Sequence, residues 1–228
     1  MFAPVASIEE ALVNLADTVG NLSVATAVVP SALPFDHKKD SEAHLVGLEQ
    51  SICHRLREPH RRAQFIAGRV AARRALGAIL GWPAANDVAV GRDNSGAPHV
   101  EGNESLRISI SHSQDVAVAV VARFPVGVDI ELDDPRPDCF ARLFFTSAER
   151  QKISLAPHGE RRTLINTLWT RKEAASKVGH WGGRLAFAKL DCSEDAVTIE
   201  GNLLDLRSTG AANYRISLAT FRESAIHG

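Results

Sequence analysis

Sulfur is scarce in this chain. Its three cysteines, Cys53, Cys139 and Cys192, are far apart and odd in number. They form no CxxC pair and match no zinc spacing, so a reducing cytoplasm is the expected setting. Long apolar runs are also missing: none approaches the ~18 residues that a membrane-spanning helix needs. Residues Met1 to Gly20 hold Glu9, Glu10 and Asp17 but no Lys or Arg, so no signal peptide is expected. Excess charge is absent as well. A net charge of −1 gives no global field toward nucleic acid or an anionic membrane. Phosphate binding must then come from local groups of Arg and Lys. What the chain does have is 228 residues with 45% hydrophobic content. That is enough for one large domain, or two small ones packed together, around a substantial core.

The periodicities alternate between helix and strand. Ser7 to Val19 reads as an amphipathic helix with Ser7 as cap and Glu10 at the capping-box position. Leu22 to Val29 reads as a strand, Ser31 to Lys39 as a loop, and Glu42 to Leu56 as a second helix. A third helix is expected from Arg61 to Leu80, stopped by Gly81. Gly91 to Asn103 reads as a loop. Leu106 to Ser111 and Val116 to Val121 read as two strands of a hairpin, with His112 near the tip. Asp133 to Asp138 reads as a connector. Thr146 and Glu149 fit a capping box. Arg161 to Val178 reads as a long helix, and the segments 196–200 and 213–221 as strands. An Arg pair opens both long helices, which suits a duplicated α+β unit.

Four groups of residues point to chemistry. Glu173 and Lys177 are four apart and share one helix face, with Trp169 one turn earlier. The pair is either a surface salt bridge worth about 0.2–0.5 kcal/mol or part of a phosphate site. Asp129 and Glu131 stand on one face of the strand Val126 to Glu131. They are either solvated at the strand end or bridged by a hard divalent ion. Arg61 and Arg69 fall in the apolar stripe of the third helix. They either snorkel past the core rim or line an anion pocket. Ser111, His112 and Ser113 are either polar turn residues or a small anion seat.

Taken in order, three of these motifs resemble those of the 4′-phosphopantetheinyl transferases. They are Ser109-Ile110-Ser111-His112-Ser113, Gly127-Val128-Asp129-Ile130-Glu131, and Trp169-Thr170-Arg171-Lys172-Glu173 through Lys177. Their spacing is similar to that of the surfactin-type branch. Arg61 to Arg69 resembles the enterobactin-synthase component D subgroup, and Phe144-Phe145-Thr146 through Glu149 is a fourth matching element. The resemblance implies an α+β fold of two similar halves, 1–125 and 126–228, related by a pseudo-two-fold with coenzyme A between them. It implies a Mg²⁺-dependent transfer of phosphopantetheine from CoA to a serine of an apo acyl or peptidyl carrier protein.

The resemblance also implies roles. Asp129, Glu131 and Glu173 would hold Mg²⁺. Lys172 and Lys177 would neutralise the pyrophosphate, and Lys177 would steady the leaving group. Glu173, or Glu149 through a water, would take the serine proton. Ser111 and His112 would bind the 3′-phosphate, and Arg61 and Arg69 the nucleotide end. The first half would carry the nucleotide and the second the metal and the carrier. A cytoplasmic monomer without nucleic-acid or membrane partners is expected. The chain departs from the surfactin-type pattern at Ala97, where a lysine is common, and Arg92 is a candidate replacement. The segment Gly179 to Gly183 is longer than that pattern. A metal-dependent phosphodiester hydrolase and a non-catalytic CoA-binding module are the alternatives.

Overall fold

Two antiparallel sheets, each crossed by one long helix, arise from the alternating segments of the two halves. A computed structural model of the protein describes residues 3–19, 25–30, 45–81 and 84–222. The first sheet has the order β1 (Ala25–Pro30), β5 (Val116–Ala122), β4 (Arg107–Ser113). The second has the order β6 (Val126–Leu132), β9 (Tyr214–Phe221), β8 (Asn202–Ala211), β7 (Ala196–Ile199). A hairpin of β2 (Val90–Arg92) and β3 (Pro98–Val100) stands apart. Helix α1 (Ala3–Asp17) precedes β1, and α2 (Leu48–Arg55) precedes α3 (Pro59–Leu80). Between β6 and β7 come α4 (Phe140–Phe144), α5 (Ser147–Leu155) and α6 (His158–Val178). Helix α3 covers β1 and β5, while α6 covers β6 and β9. The architecture is α+β, as expected.

Strand β5 is buried on both faces, which explains its unbroken apolar sequence. Ala117, Ala119 and Val121 pack with α3 residues such as Ala71 and Leu76. Val116, Val118 and Val120 join a second core with Ile8 and Leu12 of α1 and Val126, Val128 and Ile130 of β6. That second core ties the halves together. The other face of β6 meets α6 at very short range. A Cβ on Gly127 would lie 2.0 Å from the Ala174 carbonyl oxygen, so only glycine admits the helix there. This approach sets α6 against the strand that carries Asp129 and Glu131.

Strands β4 and β6 are edges of different sheets, and serine hydroxyls join them. The N–H of Val128 donates to Ser109 Oγ at 3.0 Å, that of Ile130 to Ser111 Oγ at 3.3 Å, and that of Leu132 to Ser113 Oγ at 2.9 Å. Every second residue of β4 thus satisfies an edge N–H of β6 that no strand pairs.

Several expected boundaries move. Helix α1 begins at Ala3, so Ser7 lies inside it rather than capping it. The helix expected from Glu42 starts at Leu48, after Gly47 with φ 48°. Residues 31–44, which include the expected loop, lie outside the described residues, as do 22–24 of the first expected strand. The long helices begin at Pro59 and, after a proline N-cap, at His158. Strand β4 runs through His112, which pairs with Ala117, and the chain reverses at Gln114 (φ 48°). His112 is therefore a strand residue, one pair back from the turn of the expected hairpin. The segment read as a loop at 91–103 contains the β2–β3 hairpin, and β8 is a strand the periodicity did not reveal. Among the described residues, no helix is long and apolar enough to cross a membrane.

Candidate active site

A cavity of about 600 Å³ opens between the halves. Arg61, Phe65 and Arg69 of α3, Arg92 of β2 and His112 of β4 line one side. Lys177 of α6 and His180 just beyond it line the other. Both arginines of the α3 stripe thus reach one cavity. His112 lines it too, on the strand face opposite the three bridging serines.

Arg69 is only 4% exposed, and its guanidinium lies over the Phe65 ring, 4.5 Å from the centroid. Its Nε is 3.6 Å from Glu49 Oε1, yet Nε and Nη2 have no hydrogen-bond partner. The Glu49 carboxylate is already taken by Arg73 and by the N–H groups of Val90 (2.8 Å) and Val46 (3.1 Å). Two buried arginines therefore share one carboxylate. Burial brings the Arg69 guanidinium down to about 10, against the pull of Glu49. It stays charged at neutral pH, so the cavity wall holds a cation that is only partly compensated by Glu49 and has donors to spare.

The acidic groups gather between β6 and α6. Asp129 is 5% exposed. Its Oδ1 accepts from Lys177 Nζ at 2.7 Å and from Ser111 Oγ at 2.7 Å. Its Oδ2 is buried with no partner. Burial pushes the carboxyl up from its usual range, against Lys177 and the Ser111 hydroxyl. Lys177 also donates to the Val128 carbonyl at 3.0 Å. Glu173 sits one helical turn before Lys177. Its carboxyl is raised to about 7, first by burial and then by the charges of Asp129 and Glu131. Glu131 is more firmly held. Oε1 accepts from Trp169 Nε1 at 3.1 Å, and Oε2 from Ser113 Oγ at 3.3 Å, with Arg136 Nη2 at 3.2 Å.

Three expected residues stand elsewhere. Lys172 is fully buried and pairs with Glu149 at 2.8 Å; it also donates to the carbonyls of Phe187 (2.9 Å) and Leu190. Glu149 is fully buried as well. Its Oε2 completes the capping box by accepting from the Thr146 N–H at 2.8 Å, and its Oε1 accepts from the Cys192 N–H at 2.8 Å. Both side chains are spent inside the second half, so neither a pyrophosphate contact by Lys172 nor a base role for Glu149 fits. Ser111 directs its hydroxyl to Asp129 and accepts from β6, which leaves it no phosphate contact.

The cation expected at Asp129, Glu131 and Glu173 can be tested against the donors. Among the described residues, no three His, Cys, Asp or Glu side chains are grouped to hold a metal ion. Asp129 Oδ2 is nevertheless a buried carboxylate oxygen without a partner, and Glu173 is electrostatically crowded by two other acids. A hard cation relieves both conditions. The donor set fits at Asp129 and Glu173, with Glu131 beside them and held by Trp169 and Arg136.

Sequence reasoning missed some of this. Trp169 packs edge-on to Phe140 (5.0 Å), Phe144 (5.1 Å) and Phe187 (5.5 Å), and its indole N–H orients Glu131. Arg136 is held by Asn166 Oδ1 at 2.7 Å and faces Glu131. The buried polar Asn166 on α6 was the available signal, but its partners Asp133 and Arg136 are 33 and 30 residues away.

Known proteins resemble parts of this chain. A family model for the 4′-phosphopantetheinyl transferase N-terminal domain matches residues 49–122. A second, for the 4′-phosphopantetheinyl transferase superfamily, matches residues 125–219. Over 86 residues the chain is 34% identical to 4′-phosphopantetheinyl transferase psf-1 of Bacillus pumilus. That match takes in 38% of this chain and 37% of that relative's length. A holo-(acyl-carrier-protein) synthase from Bacillus anthracis, solved in complex with CoA (3′,5′-ADP), aligns over 43% of this chain and 92% of its own. Its identity is 26% and its TM-score 0.39. The corresponding synthase of Neisseria meningitidis aligns over 43% of this chain and 94% of its own, at 18% identity and a TM-score of 0.35. Together the two family models span most of the chain, and the chain belongs to the 4′-phosphopantetheinyl transferase family.

Proposed function

We propose that the protein transfers the 4′-phosphopantetheine group of coenzyme A to a serine of an apo acyl or peptidyl carrier protein, releasing 3′,5′-ADP. The observation that carries this is the cavity between the halves. Its wall holds Arg69, buried and with free donors, and Lys177, whose ammonium rests on Asp129. A polyanionic nucleotide is the kind of ligand such a wall suits.

In this reading residues 1–125 bind the nucleotide, through Arg61, Arg69 and His112, and residues 126–228 carry the reacting end and the carrier. Mg²⁺ held by Asp129 and Glu173, with Glu131 alongside, would neutralise pyrophosphate charge and orient it. The serine oxygen forms a bond to the pantetheine-side phosphorus as the pyrophosphate P–O bond breaks. Glu173, on the helix face that carries Lys177, accepts the serine proton directly or through a water. Lys177 donates to the departing phosphate and balances its charge. The Arg61 to Arg69 segment supports an enterobactin-synthase component D-like subgroup, and hence polyketide, nonribosomal-peptide or siderophore synthesis, in a cytoplasmic monomer.

The test is direct. The protein, CoA, Mg²⁺ and a panel of apo carrier domains are incubated and analysed by intact mass. One carrier gains a single phosphopantetheine, and EDTA removes the gain. No gain on any carrier would overturn the reading.

A further inference from the structure

Between α6 and the β2–β3 hairpin, one side-chain bond crosses the edge of the cavity. His180 Nδ1 lies 3.0 Å from Asp93 Oδ2, and the partners are 87 residues apart. Asp93 comes from the first half and His180 from the second. Each side chain is about a third exposed, so the bond sits at the surface rim.

Asp93 also shapes its own side of the rim. Its Oδ1 accepts from the Ser95 N–H (2.8 Å), the Ser95 hydroxyl (2.6 Å) and the Ala97 N–H (3.0 Å). The turn so formed, from Ser95 to Pro98, lines the cavity. His180 has φ 53°, a left-handed conformation that costs free energy for a residue with a Cβ. It lies three residues after Lys177, just past the end of α6, with its N–H on the Lys177 carbonyl at 3.3 Å. The bond therefore fastens the 93–97 turn to the helix that carries Lys177 and Glu173.

The geometry points to His180 as a positioning residue that latches the 93–97 turn across the cavity and thereby holds the CoA nucleotide. This rests on the reading of the cavity as the CoA site. The turn contains Ala97, which lines the cavity and brings no charge to it. The latch offers a different means of retention, by fixing the rim instead of adding a cation. An exposed pair of this kind contributes little to overall stability. Its effect belongs on ligand affinity, at about fivefold for a contribution near 1 kcal/mol.

Two substitutions separate side chain from backbone. His180→Gly keeps the left-handed φ without strain but removes the imidazole. His180→Asn tolerates the same φ and places an amide N–H within reach of Asp93. CoA binding is measured by calorimetry, with thermal melting alongside. The expected result is that H180G binds CoA about fivefold more weakly at an unchanged melting temperature, and that H180N restores most of the loss. Unchanged affinity in H180G overturns the latch. So does H180N binding as weakly as H180G, since the imidazole would then act on the ligand itself. If the unaltered protein binds no CoA, the reading of the cavity fails first, and the latch with it.

Discussion

The Lys172 ammonium lies 2.8 Å from the Glu149 carboxylate, and neither side chain has exposed surface. Phe145 closes one side of the pair, with its ring centroid 5.6 Å from the ammonium. Breaking a buried ion pair on one side leaves an uncompensated charge and costs about 3–5 kcal/mol. Lys172→Met and Glu149→Gln should therefore each lower the denaturation midpoint strongly. The fraction that remains folded should bind CoA with unaltered affinity. Calorimetry at low temperature on both variants checks this, and a selective loss of CoA binding with full stability would return Lys172 to the cavity.

Ser111 and His112 are neighbours on β4 with opposite duties. Ser111→Ala leaves the Ile130 N–H without its acceptor and Asp129 Oδ1 without one donor. A destabilisation of about 1–3 kcal/mol follows, with little change in CoA affinity. His112→Ala removes a cavity-lining ring and should weaken CoA binding while leaving the melting temperature nearly unchanged. Urea denaturation and calorimetry on the two variants give opposite patterns if the strand faces are as described.

Much of this arrangement was readable from short-range pattern. The alternation in β6 and the four-residue spacing of Glu173 and Lys177 are properties of single elements, so they survive folding unchanged. Helix spacing also held a warning about Lys172. Five residues from Lys177, it points about 140° away around the helix, and the two cannot share one phosphate. The capping box at Thr146 and Glu149 was legible too, and it already accounted for Glu149. What the pattern could not supply were partners distant in sequence. The hydroxyls of Ser109, Ser111 and Ser113 look alike whether they face a phosphate or the edge of β6. The choice depends on how two sheets meet. The strand β8 was hidden because only Leu204 and Leu206 mark its buried face before polar residues take over.

Arg69 offers a separation of stability from binding. Its charge is buried, and Glu49 is already satisfied by Arg73 and two backbone N–H groups. Arg69→Met keeps the packing on Phe65 and removes the second of two cations that share Glu49. The melting temperature should stay level or rise. CoA affinity should fall at least tenfold, on the order of one charge-assisted contact of about 1.5–3 kcal/mol. A melting temperature that drops by several degrees would instead make Arg69 a structural partner of Glu49.

Glu173 gives a pH signature in the metal-free protein. Its carboxyl is raised from 4.5 to about 7 in the folded state. The folded chain thus holds that proton more tightly than the unfolded chain. The resulting stabilisation is complete below about pH 4.5 and is lost as pH rises through about 7. Glu173→Gln cannot titrate, so the unaltered protein should lose stability relative to E173Q across this window. The relative loss is at most about 3 kcal/mol, and smaller to the extent that water screens the three acids. Denaturation from pH 4.5 to 8 in EDTA measures it. Adding Mg²⁺ at pH 8 should then stabilise the unaltered protein and not E173Q, because only the former offers both Asp129 and Glu173 to the ion. Parallel pH profiles for the two proteins would remove Glu173 from the charged cluster, and an equal response to Mg²⁺ would remove it from the ion's shell.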